Sequence, residues 1–219
     1  MITLDHVSKS YRTQRGSRCI LDDVSIRFPK GRNIGVMGMN GCGKSTLIRL
    51  LSGAELPDSG HIHRTVSVSF PMAFGGTFHP NLSGRENVVF LARLYGMDVS
   101  ETIGFVRDFV DIGEYFDMPL NTYSSGMRAR LVFAASLAID FEVFLVDEIT
   151  EVGDARFREK AARAFRDRIR NSNVILVSHN EHTIRDLCDV GAVLGRGKIA
   201  IYDDIRDAIK AYDELRRSS

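Results

Sequence analysis

The sequence predicts an α/β fold: a mostly parallel sheet between helices, preceded by an antiparallel β part and interrupted by a helical insertion. Three observations carry this. Ile34-Gly35-Val36-Met37, Val143-Phe144-Leu145-Val146 and Val174-Ile175-Leu176-Val177 are nearly all apolar and bounded by polar residues, as strands buried on both faces must be. The first 30 residues differ: Ile2-Thr3-Leu4, then Cys19 to Phe28, alternate only in part. They read as antiparallel strands joined by the polar loop Arg12 to Arg18. The stretch from about 82 to 140 carries mostly helical spacing,.

Taken in order, Thr46-Leu47-Ile48-Arg49-Leu50-Leu51 is a helix pattern directly after the first buried strand. Ser83-Gly84-Arg85-Glu86 is a capping box, followed by Val88, Leu91 and Leu94-Tyr95 at helical spacing,. Ser100, Ser125 and Asn180 each stand where an N-cap is useful,. A last helix, from about Asp204 to Arg217, places Ile205, Ile209, Tyr212 and Leu215 on one face, which is expected to pack on its own domain,.

Bulk properties exclude some classes of function. Of 219 residues, 44% are apolar and 26% charged, with 29 basic against 28 acidic side chains. That is ordinary for a globular chain and offers no overall basic field for nucleic acid. Met1-Ile2-Thr3-Leu4-Asp5 places an acid where a secretory leader would be basic,. The longest mainly apolar stretch, Leu131 to Ile139, falls far short of the ~20 residues of a membrane span. A soluble protein, peripheral to any membrane, is expected. Cys19, Cys42 and Cys188 are few and scattered, fitting reduced thiols of a cytoplasm and no zinc pattern.

Gly38-Met39-Asn40-Gly41-Cys42-Gly43-Lys44-Ser45 fits G-x-x-x-x-G-K-[ST], between the strand and the helix that the motif requires. Its glycines let backbone amides curl around a β-phosphate, and the helix N-terminus adds its dipole. Lys44 reaches the β/γ oxygens and the Ser45 hydroxyl ligates Mg²⁺, with Thr46 closing the cradle. The four defined positions arise by chance in about one chain of this length in a hundred. The expected fold is therefore an α/β P-loop NTPase core with an N-terminal antiparallel β part and an inserted helical subdomain, and the expected ligands are ATP and Mg²⁺.

Three further segments narrow the class. Tyr123-Ser124-Ser125-Gly126-Met127 opens a helix. Small residues there make a second anion site, although a lone S-S-G is more often an ordinary cap. Val143 to Val146 runs into Asp147-Glu148, two acids at the carboxyl end of a buried strand, where sheet ligands bind. Val174 to Val177 runs into Ser178-His179. In this order the three segments resemble those of the ATPase subunit of ABC transporters, over residues from about 1 to 200.

That resemblance implies roles. Ser124, Ser125 and Gly126 stand in the LSGGQ signature, with Ser125 in place of Gly and Met127 in place of Gln. Asp147 is the Walker B acid that holds Mg²⁺ through water, Glu148 the base that orients the attacking water, and His179 the switch residue on the γ-phosphate. Glu151-Val152-Gly153-Asp154 occupies the D-loop, with Asp154 as its acid. Tyr11 sits where members stack an aromatic on adenine. The family's arrangement is a homodimer sandwiching two ATP molecules head to tail, each P-loop facing the partner's Ser124-Ser125-Gly126. One 219-residue ATPase domain is expected, with core segments 1–80 and 141–219 and a helical subdomain of about 81–140 bearing the signature.

One departure stands out. Members carry a Gln in the loop after the first half of the core, whereas this chain's single Gln is Gln14. The matching stretch runs from Phe70 to His79, leaving His79 or a water as candidate substitutes. Phe74 to Tyr95, Asp147 to Asp154 and Ser178-His179-Asn180 are similar to the branch of bacterial polysaccharide exporters, and the short end at Ser219 to its capsular members. The resemblance implies integral membrane permease subunits as partners and a place on the cytoplasmic face of the bacterial inner membrane, with periplasmic or outer-membrane export proteins as further candidates. O-antigen, teichoic acid, lipid or drug export, and a soluble ABC ATPase acting on DNA or ribosomes, are the alternatives.

Overall fold

The computed structural model describes residues 1–14, 16–71, 78–147, 154–178 and 180–218. Glu148, His179 and most of the stretch from Phe70 to His79 therefore lie outside the described residues. The chain divides into two compact units.

The first unit comprises Met1–Pro71, Glu142–Glu148 and Ser172–Ser219. It opens with β1 (Ile2–Thr13) and β2 (Gly16–Phe28), antiparallel as expected. The strands run closer to the turn than the polar loop suggested, with Thr13 opposite Gly16, because cross-strand hydrogen bonding does not need apolar side chains. β3 (Ile34–Met37) is buried at every position and leads into α1 (Lys44–Ser52). The polar β4 (Ser59–Arg64) adds to the free edge of β1. Arg64 donates to the Leu51 carbonyl at 2.7 Å and to that of Leu50, taking up acceptors that a helix end leaves open.

A second sheet has the order β5-β6-β3-β7-β8. β5 (Val143–Asp147), β6 (Asn173–Val177), β3 and β7 (Val190–Gly195) are parallel, and β8 (Lys198–Tyr202) closes one edge antiparallel to β7. Arg196 (φ 49°) and Gly197 (φ 77°) make the two-residue turn between β7 and β8. Positive φ at both positions gives the twist a tight hairpin needs. The core lies among Leu4, Val36, Leu47, Leu50, Leu145, Ile175 and Leu194. Among the helices, α6 (Glu181–Leu187) is capped by Asn180. α7 (Ile205–Arg217) starts from Asp204 and lays Ile205, Ala208 and Ile209 against the sheet, Tyr212 and Leu215 being only half-buried.

The second unit comprises Met72–Phe141 and Ile149–Asn171. α2 (Gly84–Leu94) starts from the expected capping box: Glu86 N–H donates to Ser83 Oγ at 3.1 Å, and Ser83 N–H to Glu86 Oε2 at 2.8 Å. α3 (Val99–Val110) is capped by Asp98, not Ser100. The carboxylate takes the Glu101 N–H at 2.7 Å, so the helix starts a residue before Ser100. α4 (Ser125–Ala138) is capped by Ser124, whose Oγ accepts from Met127 N–H at 3.2 Å, which puts Ser125 inside the first turn. α4 is buried all round from Leu131 to Leu137, and α5 (Ala155–Arg168) packs beside it.

Candidate functional site

The loop between β3 and α1 takes its shape from its glycines. Gly43 caps α1 at φ 115°, and a Cβ there would stand 2.3 Å from Ile20 Cγ2, so both backbone and packing exclude any other residue. At Gly38 a Cβ would meet the Leu194 carbonyl oxygen at 2.5 Å. Cys42 N–H closes back on the Met39 carbonyl at 3.1 Å.

Lys44, 7% exposed, turns its ammonium into the loop and donates to the carbonyls of Gly38 (2.7 Å) and Met39 (3.0 Å). Ser45 is exposed in the first turn of α1 and Thr46 is buried. Asn40 and Gly41 are exposed at the loop tip. Cys42 is half-buried, and its burial raises the thiol pKa despite the opposing charges of Lys44 and Arg18. Asp147 ends β5, against which α1 packs.

Tyr11 reaches α1 and the residues just after it from β1. Its Oη donates to the Glu55 carboxylate, with oxygens at 2.6 and 2.7 Å, and lies 3.4 Å from Thr46 Oγ1. Arg49 ties the cluster together, donating to Tyr11 Oη (3.1 Å), Thr46 Oγ1 (3.0 Å) and Glu55 Oε2 (3.0 Å). Lys9 pairs with Glu55 at 3.0 Å and lies 5.4 Å from the centre of the Tyr11 ring. Burial pushes the Glu55 carboxyl up, but hydrogen bonds from Tyr11, Arg49 and Lys9 outweigh it and hold the pKa below the ordinary value. Sequence reading singled out neither Arg49 nor Glu55; a basic residue on a helix gives no sign that it meets Tyr11, 38 positions away.

In the second unit Ser124, Ser125 and Gly126 form the N-terminus of α4. Among the described residues, a Cβ on Gly126 would meet only Ser124 Oγ, at 3.9 Å, so their packing leaves room there for a side chain. Asp154 caps α5 by accepting from Phe157 N–H at 2.8 Å and pairs with Arg130 at 2.7 Å. Tyr123, 3% exposed, lies beside Gly84, and its burial pushes the phenol up to about 12. His79 Nδ1 accepts from Asn81 N–H at 3.3 Å, which places the proton of a neutral ring on Nε2. Among the described residues no group of three or more His, Cys, Asp or Glu could hold a metal. None of their helices is long and apolar enough to cross a membrane.

A glycine loop joining a buried parallel strand to a helix, with a buried lysine folded onto its carbonyls, defines a P-loop nucleotide-binding fold. The chain belongs to the ABC transporter family, whose profile matches residues 21–151, and its reaction is ATP hydrolysis. It is 43% identical over 215 residues to the capsule polysaccharide export ATP-binding protein CtrD of Neisseria meningitidis serogroup B (strain ATCC BAA-335 / MC58), across 98% of this chain and 100% of that one. It is 45% identical over 216 residues to the polysialic acid transport ATP-binding protein KpsT of Escherichia coli, across 97% and 98%. Among solved structures, the ATP-binding cassette MJ0796, described as a dimer in a post-hydrolysis state bound to ADP and Pi, shares the fold. The TM-score is 0.74 at 20% identity, over 93% of this chain and 98% of that one.

Proposed function

We propose that the chain is the ATP-hydrolysing subunit that powers export of a capsule-type polysaccharide across the inner membrane, working from its cytoplasmic face beneath a separate integral permease. The observation that carries this is the 43% identity to a capsule polysaccharide export protein over nearly the full length of both chains. The whole chain is read as one ATPase domain: core segments 1–80 and 141–219, and a helical subdomain of about 81–140 that bears the signature.

Residues 38 to 46 cradle the β- and γ-phosphates, with Lys44 exchanging its loop carbonyls for phosphate oxygens. Mg²⁺ would neutralise charge on those phosphates. Ser45 and Asp147 supply oxygen donors suited to a hard cation that keeps several waters. Glu148 orients and deprotonates the attacking water, His179 contacts the γ-phosphate, and Tyr11 stacks on adenine. Asp154, which accepts from Phe157 N–H and pairs with Arg130, belongs to the nucleotide-binding set.

Ser124, Ser125 and Gly126 complete the site of a second, head-to-tail copy. The open space at Gly126 supports this: packing among the described residues does not need glycine there, whereas a phosphate approaching the free amides does. In place of the missing Gln, a water is a better Mg²⁺ ligand than His79, because the Asn81 hydrogen bond leaves the proton on Nε2. Deleting the gene should leave polymer inside the cell and none at the surface, with rescue by the parent and not by Lys44→Ala. Normal surface polymer in the deletion strain would overturn the transport reading.

A further inference from the structure

We propose that Arg18 is a nucleotide-binding residue, its guanidinium bridging the Gly41 carbonyl of the phosphate loop and the phosphate chain of ATP. This rests on the reading of residues 38–45 as the cradle. Nothing in the loop motif points to Arg18, which lies near the start of β2.

The placement is specific. Arg18 stands directly opposite Tyr11 in the β1–β2 register, and such partners project to the same face of a sheet, with Cβ atoms about 4.5–5.5 Å apart. Tyr11 reaches Thr46 on α1. Arg18 reaches the tip of the preceding loop, where its Nη2 donates to the Gly41 carbonyl. A Cβ on Gly41 would lie 2.9 Å from that nitrogen, so the guanidinium lies against the loop backbone. The neighbouring pair thus reaches the tip of the loop and the first turn of the helix that follows it.

The charge is the second argument. No carboxylate among the described residues pairs with Arg18 within 4.0 Å. Two other cations near the site, Lys9 and Arg49, are already paired with the Glu55 carboxylate. A guanidinium presents five N–H donors in a planar fork, and the Gly41 carbonyl takes one of them. The fork matches phosphate oxygens in pairs. Its field already reaches the loop, since Arg18 is among the charges that oppose the rise of the Cys42 thiol.

Arg18→Gln keeps a neutral donor for the carbonyl and removes the charge; Arg18→Lys keeps the charge and loses the fork. Direct titration of ADP and ATP at several salt concentrations, with Lys44→Ala as control, tests the inference. The Gln variant should bind both nucleotides about ten-fold more weakly or worse, with a shallower salt dependence and an unchanged melting temperature, and the Lys variant should fall between. Without nucleotide, Cys42 should also alkylate more slowly in the Gln variant at a given pH. If Arg18→Gln binds ATP within two-fold of the parent while Lys44→Ala does not, the Arg18 inference fails and the cradle stands. If both bind like the parent, the cradle reading itself fails.

Discussion

The Lys44 ammonium lies 2.7 Å from the carbonyl oxygen of Gly38, six positions before it, so the first residue of the helix closes the loop that leads into it. A buried ammonium must be satisfied by acceptors, and before nucleotide arrives the loop carbonyls supply them. Lys44→Ala should therefore remove the proposed phosphate contact and leave the loop less constrained. Loss of such charge-assisted bonds costs about 1.5–3 kcal/mol each, so ATP affinity should fall at least about ten-fold by direct titration. Parent-like binding would refute the cradle.

Glu55 sets a pH dependence. Tyr11, Arg49 and Lys9 converge on its carboxylate, whose side chain is 21% exposed. Their hydrogen bonds overcome the burial penalty and hold its pKa below the ordinary value. The unfolded chain then takes up the proton first as pH falls. Stability from Glu55 is complete above the unfolded carboxyl pKa of about 4.3 and drains away as pH drops through the lower folded value. Glu55→Gln should lose about 1–2 kcal/mol at pH 7 and show a flatter loss of stability in acid. Denaturant melts from pH 7 to 3 check this, and parallel curves for the two proteins would count against it.

Much of the fold could be read in advance because the deciding signals are local. Ile34–Met37 and Val174–Val177 are continuous apolar runs, and only parallel strands covered on both faces need them. The glycines of the loop are equally legible, since their spacing meets one backbone requirement. β4, Ser59–Arg64, was not anticipated: an edge strand with five polar or glycine positions in six carries no periodic mark,. Arg49, Glu55 and Arg18 escaped for another reason. Their partners are Tyr11, Thr46 and Gly41, and most of those pairings depend on tertiary approach. The caps at Asp98 and Ser124 were misplaced by one or two residues, since neighbouring polar residues compete for one role.

Cys42 offers a chemical probe of the loop. Burial raises its thiol above the ordinary value, so the reactive thiolate is scarce at neutral pH. Alkylation should be slow near pH 7, rise with pH through the alkaline range, and be blocked by ATP. Mass spectrometry of Cys42 with and without nucleotide measures this. ATPase activity unchanged after complete labelling at Cys42 would show that the thiol stands clear of the bound nucleotide.

Glu148→Gln removes the expected general base and keeps the cradle intact. ATP should still bind, turnover should fall by at least about a hundred-fold, and the protein should elute as a dimer when ATP is present. A monomer at saturating ATP would sink the sandwich arrangement.

Gly126 separates folding from function. Among the described residues, a Cβ at this position meets nothing closer than Ser124 Oγ at 3.9 Å, and it falls in the first turn of α4. Replacing glycine by alanine inside a helix stabilises by roughly 0.5–1 kcal/mol, so Gly126→Ala should melt at or slightly above the parent temperature. A single copy should also bind ATP as before, because Lys44 and its loop are unchanged. What the methyl group would obstruct is the close approach of a phosphate to the free amides of the helix start. The variant should therefore hydrolyse ATP poorly and fail to dimerise when combined with Glu148→Gln. Thermal melting, titration and sizing on one preparation test all three expectations. A stable Gly126→Ala protein with parent turnover would mean that no phosphate approaches this helix.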